Sequence, residues 1–192
     1  MTGSLRRAGT GFLADGSELV WSVADGTRGR RWRAVASRDG TVSHALLLEV
    51  DTAGRPSRLE LTTPAGLLTL HPGEGSRTLH GNVVSGSGVR HLSLPWSAHH
   101  GIEVEGRPIA SAVTAHRLAA STAVGEGRTV EVVTVSAGLA VAPATRRYLR
   151  VGEGEWRIEA PAGEAGPITV RVDDRGVPGL TGDVREWGLE LD

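Results

Sequence analysis

The sequence predicts an all-β fold made of antiparallel strands. Its apolar residues recur with a period of two, as side chains do when they alternate between the two faces of a strand. Glycine-rich turn signals recur roughly every eight to twelve residues, which favours a meander over alternating strands and helices. The turns are Asp39-Gly40, Ala53-Gly54, Pro72-Gly73, Ser85 to Gly88, Gly125 to Gly127, Gly152 to Gly154 and Arg175-Gly176.

Several segments carry this alternation most clearly, and each is expected to turn one apolar face towards a core. Their apolar residues, in chain order, are Leu46, Leu48 and Val50; Leu59 and Leu61; Leu92 and Leu94; Trp156 and Ile158; Ile168, Val170 and Val172; and Trp187, Leu189 and Leu191. Segments 67–70 and 129–135 are apolar on both faces, which implies a bulge or a second layer of structure over them.

One segment has the alanine content of a helix. Residues 110–121 read ASAVTAHRLAAS. The β-branched Val113 and Thr114 disfavour a helix there, so these residues leave its location open.

The length and composition indicate how many domains the chain forms, where it is located and which partners it binds. A chain of 192 residues is predicted to form a single domain over residues 1–192, with 1–18 as a mobile N-terminal arm. That arm lacks the apolar stretch of a signal peptide or membrane span, so a cytoplasmic location is expected. The net charge of −1 gives no general attraction to nucleic acid, and no nucleic-acid partner is expected.

The chain contains no cysteine. It also contains no lysine, since all 21 residues counted as lysine or arginine are arginine. This excludes disulfides, cysteine-ligated metals, Schiff-base catalysis and a phosphate-binding P-loop. Adjacent His99 and His100 point to opposite faces of a strand, so a zinc site formed with His91 is disfavoured. No cofactor and no metal is predicted.

Two charged clusters have a solvent-exposed interpretation and a functional one. Glu103 and Glu105 have a spacing near that of an inverting glycosidase pair, but a solvated strand face is favoured. The run Arg28-Gly29-Arg30-Arg31-Trp32-Arg33 is interpreted as a strand with Trp32 inward and Arg31 and Arg33 in water. The same arginines could bind a phosphate or sulfate headgroup.

Three segments of the C-terminal half resemble one family. Residues 107–118 read RPIASAVTAHRL, residues 147–150 read RYLR and residues 172–180 read VDDRGVPGL. They resemble the central motif, the Gln-Arg-Tyr-x-Arg strand, and the closing strand and turn of the bacterial glycolipid-binding family of spiral β-roll proteins. The resemblance implies a many-stranded sheet wrapped around at most one helix.

The central motif of that family runs Thr-Pro-x-Thr-Asn-Thr-Leu-Pro-Ile-Arg-Arg-Leu. Matching positions are held by Pro108, Val113, Arg117 and Leu118, whereas Ala110, Ser111 and His116 replace the polar Thr, Asn and first Arg. If the replaced residues touch ligand in relatives, the contact has changed here. The resemblance implies a ligand site formed by Arg117, Tyr148, His116 and Arg147.

Two interpretations of Arg117 and Tyr148 stay open. In the first, the ring of Tyr148 fills the core and Arg117 pairs with Glu126 or Glu131. In the second, both line the mouth of a cavity and bind a sugar or phosphate headgroup.

The preferred function is non-enzymatic binding of a glycolipid or other lipid-like amphiphile in a β-roll cavity. The alternative is a small β-barrel enzyme in which His116, Arg117 and a carboxylate converge on a hydrophobic or sugar-bearing substrate. A homodimer formed through an exposed sheet edge is also expected.

Overall fold

The computed structural model describes residues 5–161, 166–179 and, as backbone, 181–188. Its strands are β1 Arg6–Phe12, β2 Glu18–Gly26, β3 Gly29–Arg38, β4 Thr41–Val50, β5 Pro56–Thr63, β6 Gly66–Pro72, β7 Thr78–Ser85, β8 Gly88–Pro95, β9 Gly101–Val104, β10 Gly127–Val135, β11 Val141–Gly152, β12 Glu155–Glu159, β13 Ile168–Arg171 and β14 Thr181–Gly188. A 3₁₀ turn spans Glu74–Ser76, and one helix among the described residues, α1, spans Pro108–Ala119. The prediction of a mainly β fold is confirmed.

The contacts divide the chain into two compact units. Unit 1 comprises residues 1–97, 137–139 and 180–192, and unit 2 comprises residues 98–136 and 140–179. The expectation of a single domain stays a prediction. None of the described helices is long and apolar enough to cross a membrane.

Unit 1 contains a nine-stranded sheet in the order β14-β1-β2-β3-β4-β5-β6-β7-β8. Sequential strands pair antiparallel, as the regular turns predict. Residues 6–12 differ from the expected mobile arm because they form β1, which pairs with β2 on one side and β14 on the other. Trp187 lies in β14, whereas Leu189 and Leu191 lie outside the described residues.

One face of the nine-stranded sheet, here called the inner face, carries the buried apolar residues of unit 1. The predicted alternation holds for β4 and β5, whose inner residues are buried. On β8, Leu92 and Leu94 are only half-buried, because β7 is the one neighbour of this strand among the described strands. Trp21 and Trp32 lie on adjacent strands of the inner face with ring centroids 6.2 Å apart. The inner face is therefore filled by side chains.

Unit 2 contains a five-stranded sheet, β13-β12-β11-β10-β9, and α1. The helix begins at Pro108, where the missing proline N–H costs no hydrogen bond. Ala112 and Ala115 pack against Tyr148, Trp156 and neighbouring valines and isoleucine of the sheet. Because α1 contacts both edge strands, β9 and β13, the sheet curls around the helix. The expected sheet wrapped around one helix is found in this unit, and residues 110–119 are part of that helix.

Both faces of β10 carry buried valines, as its sequence predicts. Val130 and Val132 are on one face, and Val133 and Val135 are on the other. The first face is the one that packs on α1. Polar residues on this face are consequently placed beside the helix.

Candidate functional site

The face of the nine-stranded sheet opposite the inner face, here called the outer face, carries a continuous line of mostly apolar residues. Cross-strand pairing joins seven residues on the seven strands β2 to β8: Val20, Val35, Ala45, Thr62, Leu67, Val84 and Val89. We call this line the apolar row. The valines and the leucine are between 37% and 60% exposed. An exposed apolar line across a sheet is a candidate contact surface for an apolar partner.

A second line runs two residues away on the same strands. It contains Arg33, Leu47, Glu60, Thr69, Asn82 and His91 in successive cross-strand pairs. Residues two apart on a strand share a face and lie about 7 Å from each other. Glu60 and Thr69 therefore neighbour Thr62 and Leu67 of the apolar row.

A depression of about 910 Å³ lies beside these lines and belongs to unit 1. We call it the outer depression. Its charged lining residues are Asp25, Arg28, Arg30, Arg31, Glu49, Arg58 and Glu60, and its uncharged polar ones include Ser57, Thr69 and His71. The volume is within the usual range of ligand sites. The predicted basic run thus contributes three arginines to a concave surface.

Three arginines of the outer depression, Arg30, Arg31 and Arg58, are paired with carboxylates. Arg31 contacts Glu49 at 2.5 Å, and Arg58 contacts Glu60. Glu49 is also the cross-strand neighbour of Arg58, so charges alternate along the lining. The guanidinium groups of Arg31 and Arg58 are each about half exposed and retain donors directed to solvent. Such a lining offers donors and acceptors side by side, as hydroxyl-rich groups require.

A tight hairpin shapes one wall of the outer depression. The loop Thr27-Arg28 joins β2 to β3, and Gly29 has a φ of 124°, where side chains are strained. A Cβ on Gly29 would lie 2.0 Å from the carbonyl oxygen of Val50. Arg30 binds both carboxylate oxygens of Asp25, with distances of 2.6 and 3.2 Å. The interpretation of this run as a strand is confirmed, because Trp32 is buried while Arg31 and Arg33 face outward.

In unit 2, a polar cluster lies on the face of the sheet that packs on α1. Tyr148 is fully buried, and its hydroxyl donates to Oε1 of Glu103 across 2.8 Å. Nε of Arg146 donates to Oε2 of the same carboxylate across 3.0 Å. Glu103 is only 12% exposed, so the expectation that it lies on a solvated face is wrong. It shares its face with Val132 of β10 and is thereby directed towards the helix side.

The environment keeps the Tyr148 phenol protonated. Burial raises the pKa of Tyr148 well above its ordinary value, and the negative charge of Glu103 raises it further. Hydroxyls of Thr114 and Ser111 on α1 contribute hydrogen bonds that act in the opposite direction. Tyr148 therefore acts as a hydrogen-bond donor in this cluster.

The close approach of α1 to β9 depends on a glycine. A Cβ on Gly101 would lie 2.7 Å from Oγ1 and 3.2 Å from Cγ2 of Thr114. Real Cβ atoms do not approach other atoms so closely, and Thr114 is itself buried. Gly101 therefore allows the helix to bring its hydroxyl groups to Tyr148.

The other three site residues predicted from the sequence have contacts different from those of Tyr148. Arg117 donates from Nη1 to the carbonyl of Ala98 at 3.2 Å and from Nη2 to that of His99 at 2.8 Å. Arg147 is exposed on the opposite face of β11 from Tyr148 and pairs with Glu159. His116 is partly exposed near the end of α1. The described contacts do not bring the four predicted residues together around one group.

In one of the two interpretations left open by the sequence, Arg117 pairs with Glu126 or Glu131. The described side-chain bonds of these glutamates are different: Glu131 contacts Nε2 of His100 at 2.5 Å, and Glu126 accepts from the backbone of Ala123. Because Glu131 is 74% exposed, its contact with His100 is a surface pair rather than an enclosed acid-base pair.

Arg150 organises this unit, a role that was not predicted from the sequence. Its Nη1 donates to the carbonyls of Ala119 and Thr122, at 3.2 and 2.8 Å, at the carboxyl end of α1. The guanidinium also lies 5.9 Å from the centre of the Trp156 ring. A cation there satisfies terminal carbonyls and complements the helix dipole. The cross-strand pairing of Arg150 with Trp156 would have indicated this role, but the sequence does not reveal the register between β11 and β12.

Together these features define a mainly β protein with a helix-packed polar cluster in one unit and an amphipathic outer face in the other. No known family profile and no curated protein matches the chain. Its fold is similar to the crystal structure of a DUF1089 family protein from Pseudomonas aeruginosa, with a TM-score of 0.54 and 16% identity. The similarity covers 93% of this chain and 90% of that one, and it shows the fold alone.

Proposed function

We propose that this chain is a non-enzymatic binding protein for a lipid-like amphiphile such as a glycolipid. The observation that carries the proposal is that the outer-face part of the outer depression, which includes Arg31, Arg58 and Glu60, lies beside the apolar row. The outer depression supplies polar partners for the head of such a ligand, and the apolar row supplies an apolar strip for its tail.

The apolar row supports tail binding by its length and composition. Seven strands spaced about 4.8 Å apart give a strip of about 29 Å. A tail that covers it removes methylene groups and exposed valines from water, at about 0.8 kcal/mol per buried methylene before ordering costs. This strip offers no hydrogen bond except from Thr62, which suits hydrocarbon.

The outer depression supports head binding by its alternating charges. Arg31 and Arg58 present planar guanidinium groups that can donate to hydroxyl, phosphate or sulfate oxygens. Glu49 and Glu60 accept hydrogen bonds from hydroxyl groups. The mixture favours a hydroxyl-bearing head over a simple anion, because the three carboxylates of the lining offset three of its four arginine charges and can accept hydrogen bonds from hydroxyl groups.

The inner face gives less support for the β-roll cavity expected from the sequence. Its leucine, valine, tryptophan and alanine side chains in β2 to β6 are at most 5% exposed, so among the described residues the apolar part of this face is packed rather than open. A ligand there would need side chains to move apart, whereas the outer face is accessible. The proposal therefore assigns the amphiphile to the outer face.

Binding of n-octyl-β-glucoside below its micelle concentration, measured by calorimetry, tests the proposal. Val35→Asp and Leu67→Asp should each weaken binding at least about tenfold by placing a charge on the tail strip. Arg31→Gln and Arg58→Gln should weaken it about threefold to tenfold through the head.

Matched controls are available in unit 2. Val151→Asp changes a valine of similar exposure, and Arg157→Gln changes a half-exposed arginine paired with Glu159. Both should bind the glucoside as the wild type does. Equal losses in the controls, or no binding at all, would reject the outer-face site.

We also propose a homodimer formed through β8. This strand pairs only with β7 among the described strands, and most of its residues are exposed. An eight-residue edge presents unpaired backbone groups that a second β8 could bond antiparallel about a two-fold axis. Light scattering at micromolar concentration should give twice the chain mass, and a strictly monomeric mass would remove the dimer.

The cytoplasmic location and the enzymatic alternative stay predictions. Cell fractionation tests the first. Turnover of a sugar-bearing or hydrophobic substrate that His116→Asn or Arg117→Gln abolishes would favour the second over binding alone.

A further inference from the structure

Two histidines face each other across neighbouring strands of unit 1. His71 on β6 and His80 on β7 are a direct cross-strand pair, so their side chains leave the same face of the sheet. Both are exposed, and their ring centroids are 6.1 Å apart with an interplanar angle of 38°. Two imidazoles on one rigid ladder are thus held close together.

The separation is near that required for a shared metal ion. Imidazole nitrogens bind first-row metals at about 2.0 to 2.1 Å, which places the centroids of two cis ligands about 4.5 to 5 Å apart. The observed centroid separation is about 1 Å larger than this. Small rotations of the two exposed side chains between staggered rotamers can close that gap.

A neighbouring carbonyl favours the tautomer of His71 that can bind metal. Nδ1 of His71 lies 3.4 Å from the carbonyl oxygen of Pro72. A proton on Nδ1 can be donated to that oxygen, and this leaves the lone pair of Nε2 free for a metal. Metal-binding histidines commonly donate their second nitrogen to a carbonyl in this way.

The connection between the two strands leaves room for the second ring. Cδ2 and Nε2 of His80 each lie 2.8 Å from where a Cβ of Gly73 would be, so a side chain at position 73 would displace the imidazole. Gly73 also donates its backbone N–H to the carbonyl of Thr78, which closes the connection. The site is therefore built on a short, hydrogen-bonded hairpin.

We propose that His71 and His80 form a two-imidazole binding site for a divalent transition-metal ion of the nickel, copper and zinc group. Imidazole suits these ions, whereas calcium and magnesium prefer oxygen. Among the described residues no group of three or more metal-binding side chains is found, so water completes the coordination. The ion would join β6 to β7 beside the outer depression, which His71 also lines.

Calorimetric titration of the full chain with nickel chloride tests this site. His71→Asn and His80→Asn should each lower the affinity for Ni²⁺ at least about tenfold, because each removes half of the protein ligands. His91→Asn is the matched control, since His91 is exposed on the same face but contacts Asn82 at 2.6 Å. The control should stay within about twofold of the wild type.

A second measurement locates the ion in the unaltered protein. Substoichiometric Ni²⁺ should broaden the imidazole resonances of His71 and His80 before those of the other histidines. The proposal is overturned if the wild type does not bind Ni²⁺, if the control loses as much affinity as the two variants, or if the broadening begins elsewhere.

Discussion

Tyr148 and Glu103 are joined by a hydrogen bond of 2.8 Å that links β11 to β9 across the strand between them. The phenol is fully buried, and the carboxylate is also held by Arg146. This bond connects the edge of the five-stranded sheet to its centre beneath α1. It gives the cluster a structural role that can be separated from ligand binding.

Alkaline titration should report this bond through a single chromophore. Because Tyr148 is the only tyrosine, phenolate absorbance follows it alone, and the chain has no lysine or cysteine to titrate nearby. The pKa of Tyr148 is raised in the folded state above its ordinary value of 10.0. Its stabilising contribution is therefore complete below pH 10.0 and is lost as the pH rises through the folded-state pKa.

The expected absorbance transition lies above pH 10.0 and coincides with unfolding. The free energy of unfolding should fall with pH in that range, and Tyr148→Phe should remove that component of the slope. Ionisation at or below pH 10.0 in the folded protein would contradict the buried bond.

Replacement of Tyr148 by phenylalanine should destabilise the protein while leaving ligand affinity unchanged. The ring still fills its place, but Glu103 loses a donor in a buried position, at a cost of about 1 to 3 kcal/mol. Urea unfolding measures the loss. Arg147→Gln, on the exposed face, should change stability by less than about 0.5 kcal/mol.

The glucoside titration separates this structural role from the ligand role implied by the family resemblance. If Tyr148→Phe weakens glucoside binding and leaves unfolding unchanged, the residue belongs to a ligand site and the structural assignment is wrong.

Gly101→Ala should destabilise unit 2 by about 1 to 3 kcal/mol, because the new Cβ collides with Thr114. Gly86→Ala is the control, since a Cβ there meets nothing within 4 Å. The double variant Gly101→Ala with Thr114→Ala should recover part of the loss in urea unfolding. Equal stabilities of the two alanine variants would show that the helix does not pack so closely.

Arg150→Gln should lower the free energy of unfolding by about 1 to 3 kcal/mol, because the carbonyls of Ala119 and Thr122 lose a charged donor and Trp156 loses its cation. Arg157→Gln on the neighbouring strand should change it by less than about 0.5 kcal/mol. Thermal melts of both variants provide the comparison. A similar effect of the two substitutions would place Arg150 among ordinary surface residues.

Much of the fold could be predicted from local patterns. Alternation at Leu46 and Leu48 gave the inner face directly, because a strand has only two faces. The helix was harder, because Val113 and Thr114 disfavour it locally while burial against the five-stranded sheet stabilises it. Tertiary packing outweighs propensity in such segments.

The candidate sites depend on register, which the sequence does not reveal. Val35 and Leu67 are distant in sequence, and only the strand pairing places them on one line. Glu103 was expected in water because its neighbours alternate, but alternation does not indicate which face a helix covers. The contact between Arg150 and Trp156 could not be predicted either, because it depends on the register between their two strands.

The central claim is that the outer face holds an amphiphile, and its most direct test is lipid extraction with mass spectrometry of natively purified protein. We expect an amphiphile near one equivalent in the wild type and in Val151→Asp, and a loss of at least about tenfold in Leu67→Asp. No co-purifying amphiphile in the wild type, or equal amounts in all three proteins, would contradict the claim.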